Sequence, residues 1–168
     1  MKHIGILFIV AIVLCFSLPL FGQESGTNGG LGVFIGAAFP QGSTATIKST
    51  DWQPSLNWGY YVNIPLISTF HLTTSSELYK LGPQNATDFD IAFKFIIPLS
   101  GFNIFMGFAP GLTAVGDALD IHIGALGGVG FRLVSNLDAF IQLKYTFIFD
   151  GDQNIRLFHT NAGILFNF

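Results

Sequence analysis

Along most of this chain apolar residues recur at every second position. From Leu137 to Phe149, the residues Leu137, Ala139, Ile141, Leu143, Tyr145, Phe147 and Phe149 share one face, while Asp138, Gln142, Lys144 and Thr146 fall on the other. Strand side chains point alternately to opposite faces, so this pattern predicts a strand with one wholly apolar side. Trp58, Tyr60 and Val62 alternate in the same way with Asn57, Gly59, Tyr61 and Asn63 within Leu56–Ile64. Ile121–Arg132 repeats the pattern, and Phe70–Tyr79 carries it more weakly. The most helix-like stretch, Ile91–Val115, has Lys94 as its only charge, but Pro98, Ser100, Gly101, Asn103 and Pro110 interrupt it. Alternation of Phe89, Ile91, Phe93, Phe95 and Ile97 with Asp90, Ala92 and Lys94 divides it into two strands joined at 98–101. With Leu31–Phe39 and Ile155–Phe168 the set comes to eight strands of roughly nine to fourteen residues, the length of tilted membrane-crossing strands.

Composition decides what covers the apolar faces. The 168 residues are 50% apolar and 15% aromatic but only 10% charged, against about 25% charged in a typical soluble domain. A disordered chain is excluded. Seven Lys and Arg against ten Asp and Glu, with no basic cluster, give nucleic acid no phosphate-neutralising surface. No amphipathic helix is available to pack on the sheet, so lipid is the remaining cover. In hydrocarbon every backbone polar group needs a partner within the protein, and strands meet that condition only as a closed barrel. A strand of ten residues rises ~33 Å, which a ~40° tilt reduces to about 25 Å, the height of the apolar band. The expected fold is all-β: an eight-stranded antiparallel up-and-down transmembrane barrel over residues 30–168.

The first residues read differently. Lys2, the apolar run from Ile4 to Phe16, Pro19 and the small Gly22 form a secretory signal peptide over 1–22, followed by a short periplasmic linker over 23–29. Leu14 is too large for the position before a lipoprotein cysteine, so Cys15 is not read as a lipid anchor. No other cysteine follows it, which removes disulfides and Cys-ligated metal sites from the mature chain.

Connections after odd strands look long and polar (Pro40–Pro54, Lys80–Thr87, Thr113–Leu119 and Asp150–Asn154), and those after even strands look short (Pro65–Ser68, Pro98–Gly101 and Val134–Asn136). Short turns are periplasmic and longer loops external in bacterial barrels, so both termini are expected in the periplasm. Asp51, Asp117, Asp150 and Asp152, with Asp88 and Asp120 at the loop edges, would make an acidic outer rim able to bridge divalent cations to lipopolysaccharide.

The chain ends Ile164-Leu165-Phe166-Asn167-Phe168, with Ile164, Phe166 and Phe168 at alternate positions. This ending resembles the C-terminal signal by which outer-membrane barrels engage their assembly machinery. Together with the signal peptide and eight strands, the chain resembles the small outer-membrane barrel family of the OmpX and OmpA-barrel type. Val62-Asn63-Ile64-Pro65-Leu66 followed by Phe70 is also similar to "outer membrane beta-barrel domain" proteins. The resemblance implies an outer-membrane location in a Gram-negative-type envelope, contact with its lipid and lipopolysaccharide, and handling by periplasmic chaperones and the barrel-assembly machinery.

The candidate functional residues point inward. Alternation assigns Glu77, Asp90, Lys94, Arg132, Asp138 and Lys144 to the lumen, with His71, His122 and His159. Balanced charges predict a plug of ion pairs and hydrogen bonds, whereas inward glycines such as Gly124 and Gly128 favour a narrow pore. His71, Thr73, Ser75 and Glu77 supply the residue types of a nucleophile and base, but His71 and Ser75 lie about 13 Å apart along a strand and cannot pair. Catalysis is therefore not expected, nor is a cofactor. The three histidines would bind metal only if they converged. Trp58, Tyr60, Tyr145 and Phe149 near one end, with Phe102 near the other, are candidate interfacial girdles. A structural, adhesive or surface-interaction role follows. The alternatives are a narrow channel or transporter for small solutes and a periplasmic lipocalin-like barrel for an apolar ligand.

Overall fold

The computed structural model describes residues 29–41, 53–150 and 153–168. The expected signal peptide with Cys15, most of the expected 23–29 linker, Asp51 and Asp152 lie outside the described residues. Eight strands follow in order: β1 (Gly30–Gln41), β2 (Ser55–Ile67), β3 (Phe70–Leu81), β4 (Gln84–Pro98), β5 (Phe102–Val115), β6 (Ala118–Val134), β7 (Leu137–Asp150) and β8 (Gln153–Asn167). Each pairs antiparallel with the next, and β1 also pairs with β8, from Gly30 opposite Asn167 to Gln41 opposite Arg156. The sheet is thus a closed barrel with no free edge, which satisfies the backbone within the protein.

The period-two pattern positions the strand side chains, interrupted by register shifts at Pro65–Ile67 and Arg132–Val134. In β1 the exposed Leu31, Val33 and Ile35 alternate with buried Gly30, Gly32 and Phe34, and in β7 Ile141 is 56% exposed while Phe140 beside it is buried. Exposed large apolar residues ring the barrel, among them Ile91, Met106, Phe108, Ile123 and Leu143. Among the described side chains only Lys80 and Arg156 bring charge to this outer face, at the end of β3 and near the start of β8. Both stand at the end away from the chain termini. Trp58 and Phe149 are exposed near that end, with Tyr60 and Tyr145 half-buried nearby, and Phe102 is exposed at the termini end. Ile164 and Phe166 face outward opposite Val33 and Leu31, and the Phe168 amide donates to the Gly29 carbonyl at 2.9 Å.

Three expectations about the connections are corrected. Asp150–Asn154 is not a long loop, since β7 runs to Asp150 and β8 starts at Gln153. Nor are Lys80–Thr87 and Thr113–Leu119: the strands run on to Leu81 and Gln84, and to Val115 and Ala118, leaving two-residue turns. Polar Lys80, Gln84 and Asn85 masked the continuing alternation of Tyr79, Leu81 and Ala86, all buried inside. Gly82 (φ 61°) and Gly116 (φ 59°) take the first central position of these turns, the left-handed conformation that a tight hairpin demands and a Cβ opposes. Strands therefore reach 12 to 17 residues rather than stopping at the polar stretches. The supposed length asymmetry reduces to the interval between Gln41, where β1 ends, and Ser55, where β2 begins.

Candidate functional site

The lumen is filled in layers, and on each strand the order of inward residues repeats the layering. At the end away from the termini, Ala38, Tyr79, Leu81, Ala86, Ile148, Ile155 and Leu157 form one buried apolar cluster. Near mid-barrel Phe34, Tyr61, Ala92, Phe105, Ala109, Leu126 and Phe140 form a second. The Tyr61 and Phe140 rings meet edge-on with centroids 5.2 Å apart. Three inward glycines make room for these rings. A Cβ on Gly32 would collide with the Tyr61 ring, one on Gly128 with Phe105 and one on Gly163 with Phe140.

Polar residues occupy the layer between the clusters. Lys144 on β7 reaches across the barrel to the opposite wall, with Nζ 2.7 Å from Glu77, 3.1 Å from Asp90 and 3.3 Å from Asp88. His159 Nδ1 lies 2.8 Å from Glu77 Oε1, and the Asn57 amide also donates to that oxygen. His122 Nε2 is 2.8 Å from Asp90 Oδ1, while its Nδ1 is 2.7 Å from the Thr113 hydroxyl. Tyr79 and Thr113 both donate to Asp88 Oδ1, at 2.9 and 2.8 Å. Three carboxylates thus face one ammonium and two imidazoles in a layer almost wholly closed to solvent. Asp88 belongs here and not at the acidic outer rim. It lies two residues before Asp90 on the same inward face, a signal that alternation carried and the loop assignment obscured. Asp117 is exposed in the β5–β6 turn, Asp120 faces inward, and the side chain of Asp150 lies outside the described residues.

The remaining candidates gather elsewhere. His71, Lys94, Arg132 and Asp138 line a cavity of about 400 Å³ at the termini end, on the far side of the aromatic cluster from Lys144. His71 Nδ1 pairs with the Asn63 side chain, and Arg132 donates to Asp138 at 3.3 Å with its own side chain 68% exposed. The nine predicted lumen residues therefore form two groups, a sealed network and an open vestibule. Between them lies a space of about 20 Å³, roughly enough for one water.

The sealed group has the residue types of two kinds of chemistry. Thr113, His122 and Asp90 stand in the order hydroxyl, imidazole, carboxylate, yet the hydroxyl proton goes to Asp88 and apolar clusters bound the layer on both sides. Glu77, Asp88 and His159 bring possible ligand atoms within 4.8 Å of one another, and Lys144 already sets its positive charge against both of those acids. His71 is in the other group, so the three histidines do not meet. Ser75 donates to Asp90 at 3.2 Å, which separates it from His71 and Glu77 as a reacting pair.

Closed eight-strand topology, an apolar outer belt and a packed polar lumen define a small transmembrane barrel of the outer-membrane type. Neisserial surface protein A superposes with a TM-score of 0.68 at 14% identity, over 86% of this chain and 100% of that one. Ail, the attachment invasion locus protein of Yersinia pestis, gives 0.53 at 9% identity over 84% and 100%, and a de novo designed transmembrane β-barrel gives 0.52 at 12% over 86% and 100%. No protein-family model matches the chain, and no curated protein does.

Proposed function

We propose that this protein is an integral outer-membrane barrel with a sealed lumen and a structural, adhesive or surface-interaction role, neither catalytic nor conductive. The observation that carries this reading is the layered seal, in which a charge network spans the lumen between two apolar clusters. The outward apolar belt disfavours a soluble lipocalin-like barrel, whose outer face meets water. Of the similar structures, one is named a surface protein and another an attachment invasion locus protein, which fits a role at the cell surface.

In this reading both termini are periplasmic: an even number of strands returns the chain to the side where it started, and the longest interval between strands, from Gln41 to Ser55, falls at the other end, where bacterial barrels carry their longer external loops. The aromatics Trp58, Tyr60, Tyr145 and Phe149 then mark the external membrane interface, with Phe102 near the internal one. Lys80 and Arg156 meet lipopolysaccharide phosphates. The ending Ile164, Phe166 and Phe168 serves as the signal to the assembly machinery after transport by periplasmic chaperones.

Location and orientation are tested by single-cysteine labelling in whole cells with a membrane-impermeant maleimide. Asp117→Cys in the β5–β6 turn is expected to label on intact cells, and Asn136→Cys in the β6–β7 turn only after the outer membrane is opened. The reverse pattern would invert the orientation. Recovery of the protein in periplasmic extracts without detergent would overturn the membrane assignment.

A further inference from the structure

The sealed lumen leaves one cavity unexplained. The vestibule of about 400 Å³ is floored by Tyr61, Phe105, Phe140 and Lys94, with Ile96 and Leu165 on its walls. At ~30 Å³ per water-sized group it has room for about a dozen non-hydrogen atoms. Its charged lining residues are Lys94, Arg132 and Asp138, and only one of the two cations has a carboxylate of its own. Asp138 accepts from Arg132 at 3.3 Å and from the Asn167 amide at 2.9 Å.

Lys94 is the exception. It is 9% exposed, and among the described residues no carboxylate lies within salt-bridge distance of it. Its ammonium donates to Gln142 Oε1 at 3.1 Å and stands 5.0 Å from the Phe105 ring and 5.2 Å from the Tyr61 ring. Asp90, on the same strand face, spends its oxygens on Lys144, His122 and Ser75. A buried ammonium held by one amide oxygen and two aromatic faces is under-compensated, and an incoming carboxylate would complete its shell.

We propose that this vestibule binds a small amphiphilic monocarboxylate, with its carboxylate on Lys94 and its short apolar body against Phe105, Phe140, Ile96 and Leu165. One cation at an aromatic floor suits a single negative charge on an apolar body. A compact, multiply charged anion such as phosphate would find no second unpaired cation there. The site goes beyond the surface role proposed above and depends on neither its orientation nor that role.

The test uses the full barrel in phosphatidylcholine nanodiscs, with 4-fluorophenylacetate followed by ¹⁹F NMR and empty nanodiscs as the partition reference. Saturable binding is expected, at least about tenfold tighter than that of the neutral 4-fluorophenylacetamide. Lys94→Met should weaken it at least about tenfold, and Arg132→Gln by no more than about twofold. Excess inorganic phosphate should not displace the probe. The acid and amide comparison needs no variant, so the test stands even if Lys94→Met fails to fold. Absence of saturable binding, equal binding of acid and amide, retention in Lys94→Met, or displacement by phosphate would each overturn the proposal. An equal loss in Arg132→Gln would move the site to the rim and overturn the role of Lys94.

Discussion

Replacing Lys144 with methionine is expected to lower the stability of the folded barrel by about 3–5 kcal/mol, the effect of stripping one partner from a buried ionic group. The residue is 2% exposed, and its ammonium lies within 3.3 Å of carboxylate oxygens of Glu77, Asp88 and Asp90. Methionine fills nearly the same volume, so packing around the aliphatic stem survives while three carboxylates are left facing one another. Urea unfolding in lipid vesicles reads the change. A second substitution separates charge from shape: Glu77→Gln added to Lys144→Met should recover part of the loss, because it removes one of the stranded charges. Asn57, Asn161 and His159 remain to hold the glutamine at that position. A loss under about 1 kcal/mol in the single variant would mean that Lys144 does not hold the carboxylate cluster together.

Ile141→Arg probes the opposite face and should cost about 2–4 kcal/mol, the depth-dependent penalty for a lipid-facing charge near the middle of the bilayer. Ile141 is 56% exposed and lies between the aromatic residues at the two ends of the barrel, opposite Val129 on β6 and Ala162 on β8. In water such a residue would count as a surface position, where most substitutions stay within about 0.5 kcal/mol. Asn85→Arg is the matched control, since Asn85 is outward and exposed beside the β3–β4 turn and so beyond the hydrocarbon. Its effect in vesicles should stay within that surface range. Equal effects at the two positions would contradict a lipid-covered belt.

Alternation alone identified all eight strands and the inward or outward sense of their side chains, because lipid outside and a narrow lumen inside reward strict period two. It could not show which inward residues meet. Lys144 and Glu77 are far apart in sequence and stand on strands at opposite sides of the barrel, so their contact depends on closure and on the stagger between strands. That stagger also sends His71 to the vestibule and His122 to the sealed layer, although both read simply as inward histidines. Turn lengths were misread for a local reason: Lys80, Gln84 and Asn85 are polar because they reach past the membrane, not because the strands have ended. Gly128 reads as empty volume in the sequence, and only the Phe105 ring laid against it shows it as a seat for the plug.

The central claim is that two apolar clusters and the charge network close the lumen within the membrane. Single-channel recording of the purified wild-type barrel in a planar lipid bilayer tests it most directly. A flat current trace at all applied potentials is the predicted result. Reproducible unitary openings that disappear when Gly128 is enlarged to leucine would contradict it, because they would place a conducting path where Phe105 now fills the barrel.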